Sequence, residues 1–326
     1  MLQKRTLLLI ALVFVVIFVS ACGNGQGTNN KGGTGEATET AVVAETADIS
    51  ETRVYKSSHG DVEIPKIPKR IVAGGHLGSM IALGVKPVGA VKEWEADSPF
   101  LEGKVDGITD IGDPHDMETI ISLKPDLIVL SYADDVEPFS KIAPTVLIPY
   151  ESLKSVEEQI TVIAELLGKE QEGKDWLAQF DENVVKSRDK VKSVIGENKS
   201  ATIVAVMDGT AGFLGDRFGR GGQVLYRILG MKAPEKVQKL IDGDGTVETV
   251  SLEILPEVAG GDYVFLSSFI ENDPAKDDLL QSGVWKNLDA VKNNRMFELD
   301  HQQFYFSDPI SIQGQLNLIT EMLTRK

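Results

Sequence analysis

Short apolar runs separated by helical patterns fill the first half of the chain. Two alternating runs at residues 53–65 predict a hairpin. Four further runs predict buried strands, at residues 71–73, 88–91, 127–131 and 145–149. Between them lie segments with the apolar spacing of amphipathic helices. Strands that alternate with helices at this spacing are typical of a parallel α/β sheet, so this half of the chain predicts one α/β lobe.

The middle of the chain, residues 155–195, contains no convincing strand pattern. A helix is expected at residues 156–167, closed by Gly168, and a second periodic run that includes Trp176 is closed by Gly196. The second helix, of roughly 25 residues, spans about 37 Å at the standard rise, which is more than a crossover between strands requires. We interpret it as a brace between two lobes.

The second half repeats the first, with the same alternation of apolar runs and helical patterns. Its predicted strands lie at residues 201–206, 263–267 and 296–299. A loop is expected between the first of these strands and Gly222. Asp308 and Pro309 begin a final helix that runs to Leu323. The chain is therefore expected to form an N-terminal lobe, a connecting helix and a C-terminal lobe, at residues 51–168, 169–196 and 197–326.

One unit of sequence occurs in both halves. A capping residue, Asp116 or Ser251, is followed two positions later by Glu118 or Glu253, then by a short apolar helix and an aspartate that opens a strand. Because a carboxylate in the first turn is favoured by the helix dipole, both glutamates are expected at exposed helix starts. Capping does not explain why the unit recurs about 135 residues later. We interpret the recurrence as one such helix end on each lobe.

The N-terminus has the pattern of a secretory signal. Two basic residues precede an apolar run at residues 7–19, and small residues then lead to Cys22, the only cysteine. This predicts cleavage before Cys22, a lipid on its thiol, and a flexible tether at residues 22–50 after a signal at residues 1–21. The alternative is a lone buried cysteine in an uncleaved anchor helix, but its place directly after small residues favours lipidation.

Composition and charge limit the choice of partners. The chain is 42% apolar and 25% charged, as globular proteins are, and its formal charge of −16 becomes −18 when Lys4 and Arg5 leave with the signal. A strongly acidic body argues against nucleic acid or an anionic membrane surface as a partner. With its one thiol used for lipid, the chain has no cysteine left for an internal disulfide or a zinc site.

The loops after the strands offer aromatic rings and arginines. In open α/β sheets these loops form the binding edge. The candidate contacts are His76, Trp94, Tyr132, Arg217, Phe218, Arg220 and Tyr305. The four histidines lie in separate predicted loops without metalloenzyme spacing, and the glycine-rich run at 215–222 matches neither GxGxxG nor a P-loop. Two arginines around an aromatic favour an anionic or oxygen-rich ligand. Alternation would bury about half of the aromatics at 304–306, and its polar tip makes Tyr305 the expected outward ring.

Several segments, each of low specificity when taken alone, together resemble the sequence of a known family. They are PKRIV, LGVKPVG, IGD before Glu118, LKPDLIV, KIAPTV, GDRFGRGGQVLYRILG, SLE, VWKNLDAVKNNRMFELD and SDP. In this order, after a lipobox and a tether, they cover residues 51–326 and resemble the iron-siderophore substrate-binding lipoproteins of ABC transporters. The GDRFGRGG and FYFSDP stretches are similar to those of the hydroxamate binders of Gram-positive bacteria, which take ferrichrome or ferrioxamine.

This resemblance implies two Rossmann-like lobes joined by a single long helix, with the ligand in the cleft between them and little hinge closure. It implies that Glu118 and Glu253 dock into arginine pockets of the permease dimer, and that Phe218 and Arg220 touch the ligand. The family often has tryptophan at the position of Phe218, so the stacking surface is smaller here. The protein is then a monomer on the outer face of the cytoplasmic membrane, held by the lipid on Cys22.

A ferric siderophore already fills the six coordination positions of iron, so the protein needs no metal ligand or cofactor of its own. The few cationic residues in the loops favour a near-neutral hydroxamate over an anionic catecholate. Alternatives on the same scaffold are another iron chelate such as a catecholate or citrate, cobalamin, a bare metal ion, or haem with His76, His301 or Tyr305 as axial ligand. A lipid-anchored enzyme would need a nucleophile and a base brought together from loops, which no spacing supports.

Overall fold

Three β-sheets organise the part of the chain that the computed structural model describes, residues 51–133, 136–207, 209–217, 219–243 and 246–325. The first is the predicted hairpin, in which β1 (Thr52–Ser57) pairs antiparallel with β2 (Gly60–Pro65). Tyr55 and Ile64 are buried while Val54 is exposed, as expected for a strand pair with one covered face. The predicted signal peptide, Cys22 and the tether lie outside the described residues.

The first lobe contains a five-stranded sheet in which every pairing is parallel. Its strands are β3 (Ile71–Gly74), β4 (Gly89–Ala90), β5 (Thr109–Asp110), β6 (Leu127–Leu130) and β7 (Thr145–Leu147), in the spatial order β5-β4-β3-β6-β7. Its helices are α1 (Leu77–Ala82), α2 (Met117–Leu123) and α3 (Val136–Phe139). All residues of β3, β6 and β7 are buried, as their continuous apolar sequence predicts for strands covered on both faces.

Two consecutive helices follow, as predicted. Helix α4 (Val156–Leu167) begins at Ser155, whose side chain accepts a hydrogen bond from the Glu158 amide, and ends at the left-handed Gly168. Helix α5 (Glu170–Ile195) is 26 residues long and buries a stripe that includes Phe180, Val184 and Val191. The expected long connecting helix is confirmed. Among the described residues, no helix combines the length and the apolar character needed to cross a bilayer.

The second lobe contains a mixed sheet and therefore does not repeat the first. Its strands are β8 (Ala201–Met207), β9 (Thr210–Leu214), β10 (Val247–Thr249), β11 (Tyr263–Ser268) and β12 (Met296–Glu298), in the order β10-β9-β8-β11-β12. Strand β9 runs antiparallel to both neighbours, where the sequence predicted only a loop to Gly222. The strand has a weak signal because it is short and contains Gly212, where a Cβ would lie 2.7 Å from the Glu248 carbonyl oxygen.

Helices surround the second sheet. They are a π-helical turn at Gln223–Ile228, α6 (Glu235–Asp242), α7 (Leu255–Val258), α8 (Pro274–Gln281), α9 (Gly283–Lys286), α10 (Asp289–Lys292), α11 (His301–Tyr305) and α12 (Pro309–Thr324). Helix α11 occupies a stretch that the sequence predicted as a loop. Asp300 begins it by accepting a hydrogen bond from the Gln303 amide.

The C-terminal helix α12 joins the two lobes. It begins at Asp308, whose carboxylate accepts from the Ile310 and Ser311 amides. The Ser311 hydroxyl lies 2.6 Å from that of Ser98 in the first lobe. At Gly314, a Cβ would approach the Phe100 ring to 2.3 Å, so only glycine permits this contact. The structure thus has two α/β lobes with α5 between them and α12 packed against both.

Candidate functional site

Side chains from the carboxyl ends of strands in both lobes meet around a group of aromatic rings. In the first lobe His76, Trp94 and Tyr132 follow β3, β4 and β6. In the second lobe Arg220 follows β9 and Tyr305 follows β12. Because parallel strands end at the same edge of a sheet, the first lobe presents the loops after β3, β4 and β6 on one side. In the second lobe Arg220 follows the antiparallel strand β9, and its place in the site is shown by its contact with the Tyr305 ring.

Trp94 and Tyr305 form the ring contact between the lobes. Their centroids are 6.4 Å apart with an interplanar angle of 29°, and the two residues remain 48% and 36% exposed. The Trp94 indole N–H donates to Asp113 over 2.8 Å, which fixes the orientation of the ring. Tyr305 also contacts the ring of His301 at 5.7 Å. These rings provide an apolar, partly open wall.

The guanidinium of Arg220 lies beneath this wall. It stands 4.0 Å from the centroid of the Phe269 ring and 5.2 Å from that of Tyr305, and its Nη1 donates to the Ser268 carbonyl over 2.8 Å. Burial lowers the pKa of Arg220 to about 10, so the side chain is cationic at neutral pH. Its other N–H groups have no partner among the described residues, and they can therefore donate to a ligand oxygen.

The glycine-rich loop around Arg220 owes its composition to a tight backbone. Arg220 itself is left-handed, with φ of 50°, and its amide donates to the Phe304 carbonyl over 2.9 Å. A Cβ on Gly222 would lie 2.1 Å from the Gly215 carbonyl oxygen. Buried Asp216 anchors the loop through an ion pair with Arg227. These contacts hold the backbone of Arg220 in place.

Two other predicted contacts belong to this loop. Arg217 is exposed and has no hydrogen bond or ion pair with the described residues. Phe218 lies outside the described residues. Contact of either side chain with a ligand stays a prediction.

Tyr132 and Tyr150 extend the group of rings along the first sheet. Tyr132 is 69% exposed at the end of β6. Tyr150, which follows β7, hydrogen-bonds through its hydroxyl to that of Ser307 in the second lobe. Burial raises the pKa of Tyr150, and the neighbouring Glu95 and Asp308 carboxyl groups act in the same direction. Tyr150 is thus a second polar link between the lobes.

His76 is buried and turned toward the protein interior. It adopts a left-handed conformation with φ of 62°, and its Nε2 lies 2.8 Å from the Ile148 carbonyl oxygen. Since a carbonyl can only accept, Nε2 carries the proton in this contact. Burial lowers the pKa of His76, so the ring is neutral at pH 7. In this position the ring braces the ends of β3 and β7, and its contact with a ligand stays a prediction.

Glu95, next to Trp94, holds the first-lobe part of the site together. Its carboxylate accepts from the backbone amides of His76 and Leu77, at 3.0 and 2.5 Å. Burial raises the pKa of Glu95 to about 7, and the nearby Asp308 carboxylate adds to this effect. The segment that carries Trp94 is therefore tied to the start of α1 through a carboxyl group that titrates near neutral pH.

We expect Glu95→Gln to remove part of the pH dependence of stability. The folded-state pKa lies above the ordinary 4.5, so the neutral carboxyl stabilises the fold fully below pH 4.5, and this contribution is lost as pH rises through about 7. Between pH 4.5 and 8 the free energy of unfolding of the wild type should fall by up to about 3 kcal/mol relative to the variant. Urea denaturation across this range measures the difference; a constant difference would contradict the prediction.

The two glutamates of the repeated unit are both exposed. Glu118 lies in the first turn of α2, and Asp116 accepts from two amides of that turn, as predicted. Glu253 lies in a turn, and α7 begins two residues after it, so the expected helix start is wrong for the second copy. There the Ser251 carbonyl accepts from amides of the turn, and the hydroxyl of Ser251 lowers the pKa of Glu253 through a hydrogen bond.

Within the described ranges, no group of three or more histidine, cysteine, aspartate or glutamate side chains could hold a metal ion. The His301 Nδ1 lies 3.0 Å from the Ser268 carbonyl, and the His115 ring packs on Phe139 at 5.3 Å. What the site offers is a wall of rings, one buried guanidinium and several hydroxyl groups, which suits an apolar ligand with oxygen acceptors.

Two site residues, Phe269 and Tyr150, were not predicted from the sequence. Phe269 directly follows β11, and Tyr150 lies three residues after the end of β7, so the position near a strand end was a usable signal for both. A role for Phe269 in the site was not predicted, because a single aromatic residue after a strand more often packs in the core than contacts a ligand. Here it supports the guanidinium of Arg220.

The chain is similar in sequence and fold to known proteins. The family described as Periplasmic binding protein matches residues 72–303. The chain is 37% identical, over 99% of its length and 98% of that protein, to the iron(3+)-hydroxamate-binding protein YxeB of Bacillus subtilis (strain 168). Among solved structures, the fold resembles that of a FhuD fold-family component of a Fep/Fec-like ferrichrome ABC transporter from Bacillus subtilis, with a TM-score of 0.77 and 37% sequence identity. The alignment covers 83% of this chain and 100% of that protein chain. The structure of FhuD2 from Staphylococcus aureus with bound ferrioxamine B aligns with a TM-score of 0.69 and 30% sequence identity. This alignment covers 79% of this chain and 98% of the FhuD2 chain.

Proposed function

The chain belongs to the periplasmic binding protein family, and we propose that it captures a ferric hydroxamate siderophore outside the cytoplasm and delivers it to the permease of an ABC transporter. The observation that carries this proposal is the meeting of rings from both lobes, Trp94 and Tyr305, above the buried guanidinium of Arg220. Two solved relatives named above, a component of a ferrichrome ABC transporter and a protein with bound ferrioxamine B, share the fold at 30% identity or more.

The chemistry of such a ligand fits the site. A hydroxamate siderophore surrounds iron with oxygen atoms and presents an outer surface of methylene groups. Aromatic rings can cover the methylene surface, while the free N–H groups of Arg220 can donate to the hydroxamate oxygens. The iron is cargo held by the siderophore, so we propose that the protein supplies neither metal ligand nor cofactor and catalyses no reaction.

We propose that Arg220, Tyr305, Trp94 and Tyr132 form the principal ligand contacts. Phe269 supports them by holding the guanidinium from below. Phe218, Arg217 and His76 complete the predicted set: the first two by their place in the loop around Arg220, and His76 by its place after β3.

The cellular arrangement is also a proposal. The lipobox sequence supports a lipid on Cys22 that holds a monomer on the outer face of the cytoplasmic membrane. Exposed Glu118 and Glu253, one on each lobe, support docking to the two subunits of a permease dimer. The acidic chain, with a formal net charge of −16, supports the absence of nucleic acid among its partners.

A ligand panel tests the proposal. Ferrichrome, ferrioxamine B, ferric citrate, a ferric catecholate, haem and cobalamin are titrated separately into the protein while tryptophan fluorescence and the melting temperature are followed. We expect a hydroxamate to quench fluorescence at sub-micromolar concentration and to stabilise the fold by about 2.7 kcal/mol at 100 times its Kd. If only ferric citrate, the catecholate, haem or cobalamin produced a response, that compound would replace the hydroxamate as the proposed ligand. No response to any compound of the panel would refute the proposal.

A further inference from the structure

Each exposed glutamate of the repeated unit lies beside an exposed aliphatic side chain and a shallow surface pocket. We propose that the two pockets belong to the permease-docking surface and accept segments of opposite charge, so that the protein docks in one orientation. The inference rests on the proposed function, because it specifies how the partner named there is recognised.

The pocket on the first lobe, here the Ile121 pocket, has a volume of about 470 Å³. It is lined by Ile121, Lys124, Pro125, Lys141 and Ile142. Ile121 follows Glu118 by three positions on α2, so both side chains lie on one helix face. Ile121 is 55% exposed, and Lys124 has no ion-pair partner among the described residues. Lys141 forms only an exposed pair with Glu137, at 3.4 Å.

The pocket on the second lobe, here the Leu252 pocket, has a volume of about 310 Å³. Leu252 directly precedes Glu253 and is 41% exposed. Val250, Leu279 and Asp278 lie in its lining, and none of the described lining residues is a lysine or an arginine. Each lobe therefore presents the same combination, a carboxylate next to an exposed aliphatic side chain, but the charge at the pocket is positive on one lobe and negative on the other.

The charge contrast identifies the chemistry of the occupants. On a chain with a net charge of −16, an acidic segment of another protein is repelled by most of the surface and attracted where Lys124 and Lys141 flank an apolar pocket. We assign to the Ile121 pocket a permease segment with an aliphatic side chain next to a carboxylate. The Leu252 pocket fits an aliphatic side chain next to a basic group, which Asp278 would attract. A reversed orientation would bring like charges together.

Substitutions with matched controls test this assignment. The test variants are Ile121→Asp and the pair Lys124→Glu with Lys141→Glu. The chain offers close controls on α5: Val185 is 56% exposed, like Ile121, and Lys186 forms an exposed pair with Glu182 at 3.5 Å, like Lys141 with Glu137. The controls are Val185→Asp and Lys186→Glu.

Uptake of radiolabelled ferric ferrioxamine B is measured in host cells that carry only one version of the gene, and affinity for the same ligand is measured on purified protein. We expect both test variants to lower uptake at least tenfold with affinity and melting temperature unchanged, and both controls to stay within twofold of the wild type. Replacing both lysines by arginine should preserve uptake. Normal uptake by Ile121→Asp and the double lysine variant would overturn the inference.

Photocrosslinking identifies the occupant. With p-benzoylphenylalanine at position 121 or 252, we expect crosslinks to the permease in intact cells, and none from position 185. Crosslinks only to a second copy of this chain or to lipid would overturn the proposal. If Glu118→Ala with Glu253→Ala loses uptake while the pocket variants keep it, only this inference fails; if all of them keep uptake, permease docking as proposed fails as well.

Discussion

Replacing Arg220 by methionine should weaken binding of a ferric hydroxamate by about 100-fold. A hydrogen bond to a charged group contributes about 1.5–3 kcal/mol, and the loss of one such bond within a desolvated site corresponds to this change in Kd. The buried guanidinium also supports Tyr305 from a distance of 5.2 Å, so the aromatic wall loses a stacking partner. Isothermal titration with ferrioxamine B measures the loss. Arg220→Lys should show an intermediate effect, because it keeps the charge but not the planar fork.

The stability of the ligand-free protein should change much less than the affinity. The Ser268 carbonyl, which accepts from Arg220, also lies 3.0 Å from the His301 Nδ1, so it keeps a partner in the variant. Arg295→Met is a matched control, since Arg295 stands 5.9 Å from the Tyr263 ring in the same lobe but away from the cleft. Wild-type affinity in Arg220→Met, or an equal loss in the control, would contradict a direct role for Arg220.

Local signals in the sequence were sufficient for much of the fold. The limits of α4 follow from Ser155 and Gly168, whose capping roles depend only on neighbouring residues, and the structure confirms both. The parallel sheet of the first lobe follows from continuous apolar runs. Strand β9 was missed because a five-residue run with small side chains carries a weak strand signal, and its pairing with β10 depends on residues more than thirty positions away.

The candidate site was also predicted only in part. Strand ends predicted which loops would take part, but not which side chains would face the cleft. Tyr305 is the outward ring among the three aromatics, as expected, while Phe304 and Phe306 are buried. The reason differs from the predicted alternation along an extended chain, because Tyr305 ends the short helix α11. Sequence spacing also could not show that His76 turns inward to Ile148, since that contact joins two strands 72 residues apart.

Cross-lobe contacts bear on how the site responds to a ligand. The Ser98 and Ser311 hydroxyls, and the Gln159 side-chain amide with the Ser307 carbonyl at 3.1 Å, connect the lobes beside the rings. Opening the cleft would break these buried or half-buried hydrogen bonds together with the packing of α12. We therefore expect the ligand to bind mainly by rearrangement of exposed side chains such as Tyr132, in keeping with the little hinge closure that the family resemblance implies.

Removing both carboxylates that we propose to dock, Glu118→Ala with Glu253→Ala, should abolish uptake of ferric ferrioxamine B and leave its affinity intact. Both side chains are exposed, and neither forms a hydrogen bond or ion pair with the described residues of the proposed ligand site. At a permease surface, however, each would be buried against an arginine, and removal of one partner of a desolvated pair leaves the other charge unsatisfied. Each single variant should retain part of the uptake, because one lobe still docks.

The matched control replaces two other exposed glutamates, Glu157 in the first turn of α4 and Glu235 in the first turn of α6, again with one in each lobe. These changes remove the same net charge, and Glu157 also matches the first-turn position of Glu118, so they separate docking from a general effect of charge. We expect uptake by the control to remain within twofold of the wild type. Equal loss in both pairs would mean that net charge alone governs delivery, and normal uptake by Glu118→Ala with Glu253→Ala would mean that these carboxylates act only locally, as caps of their own turns.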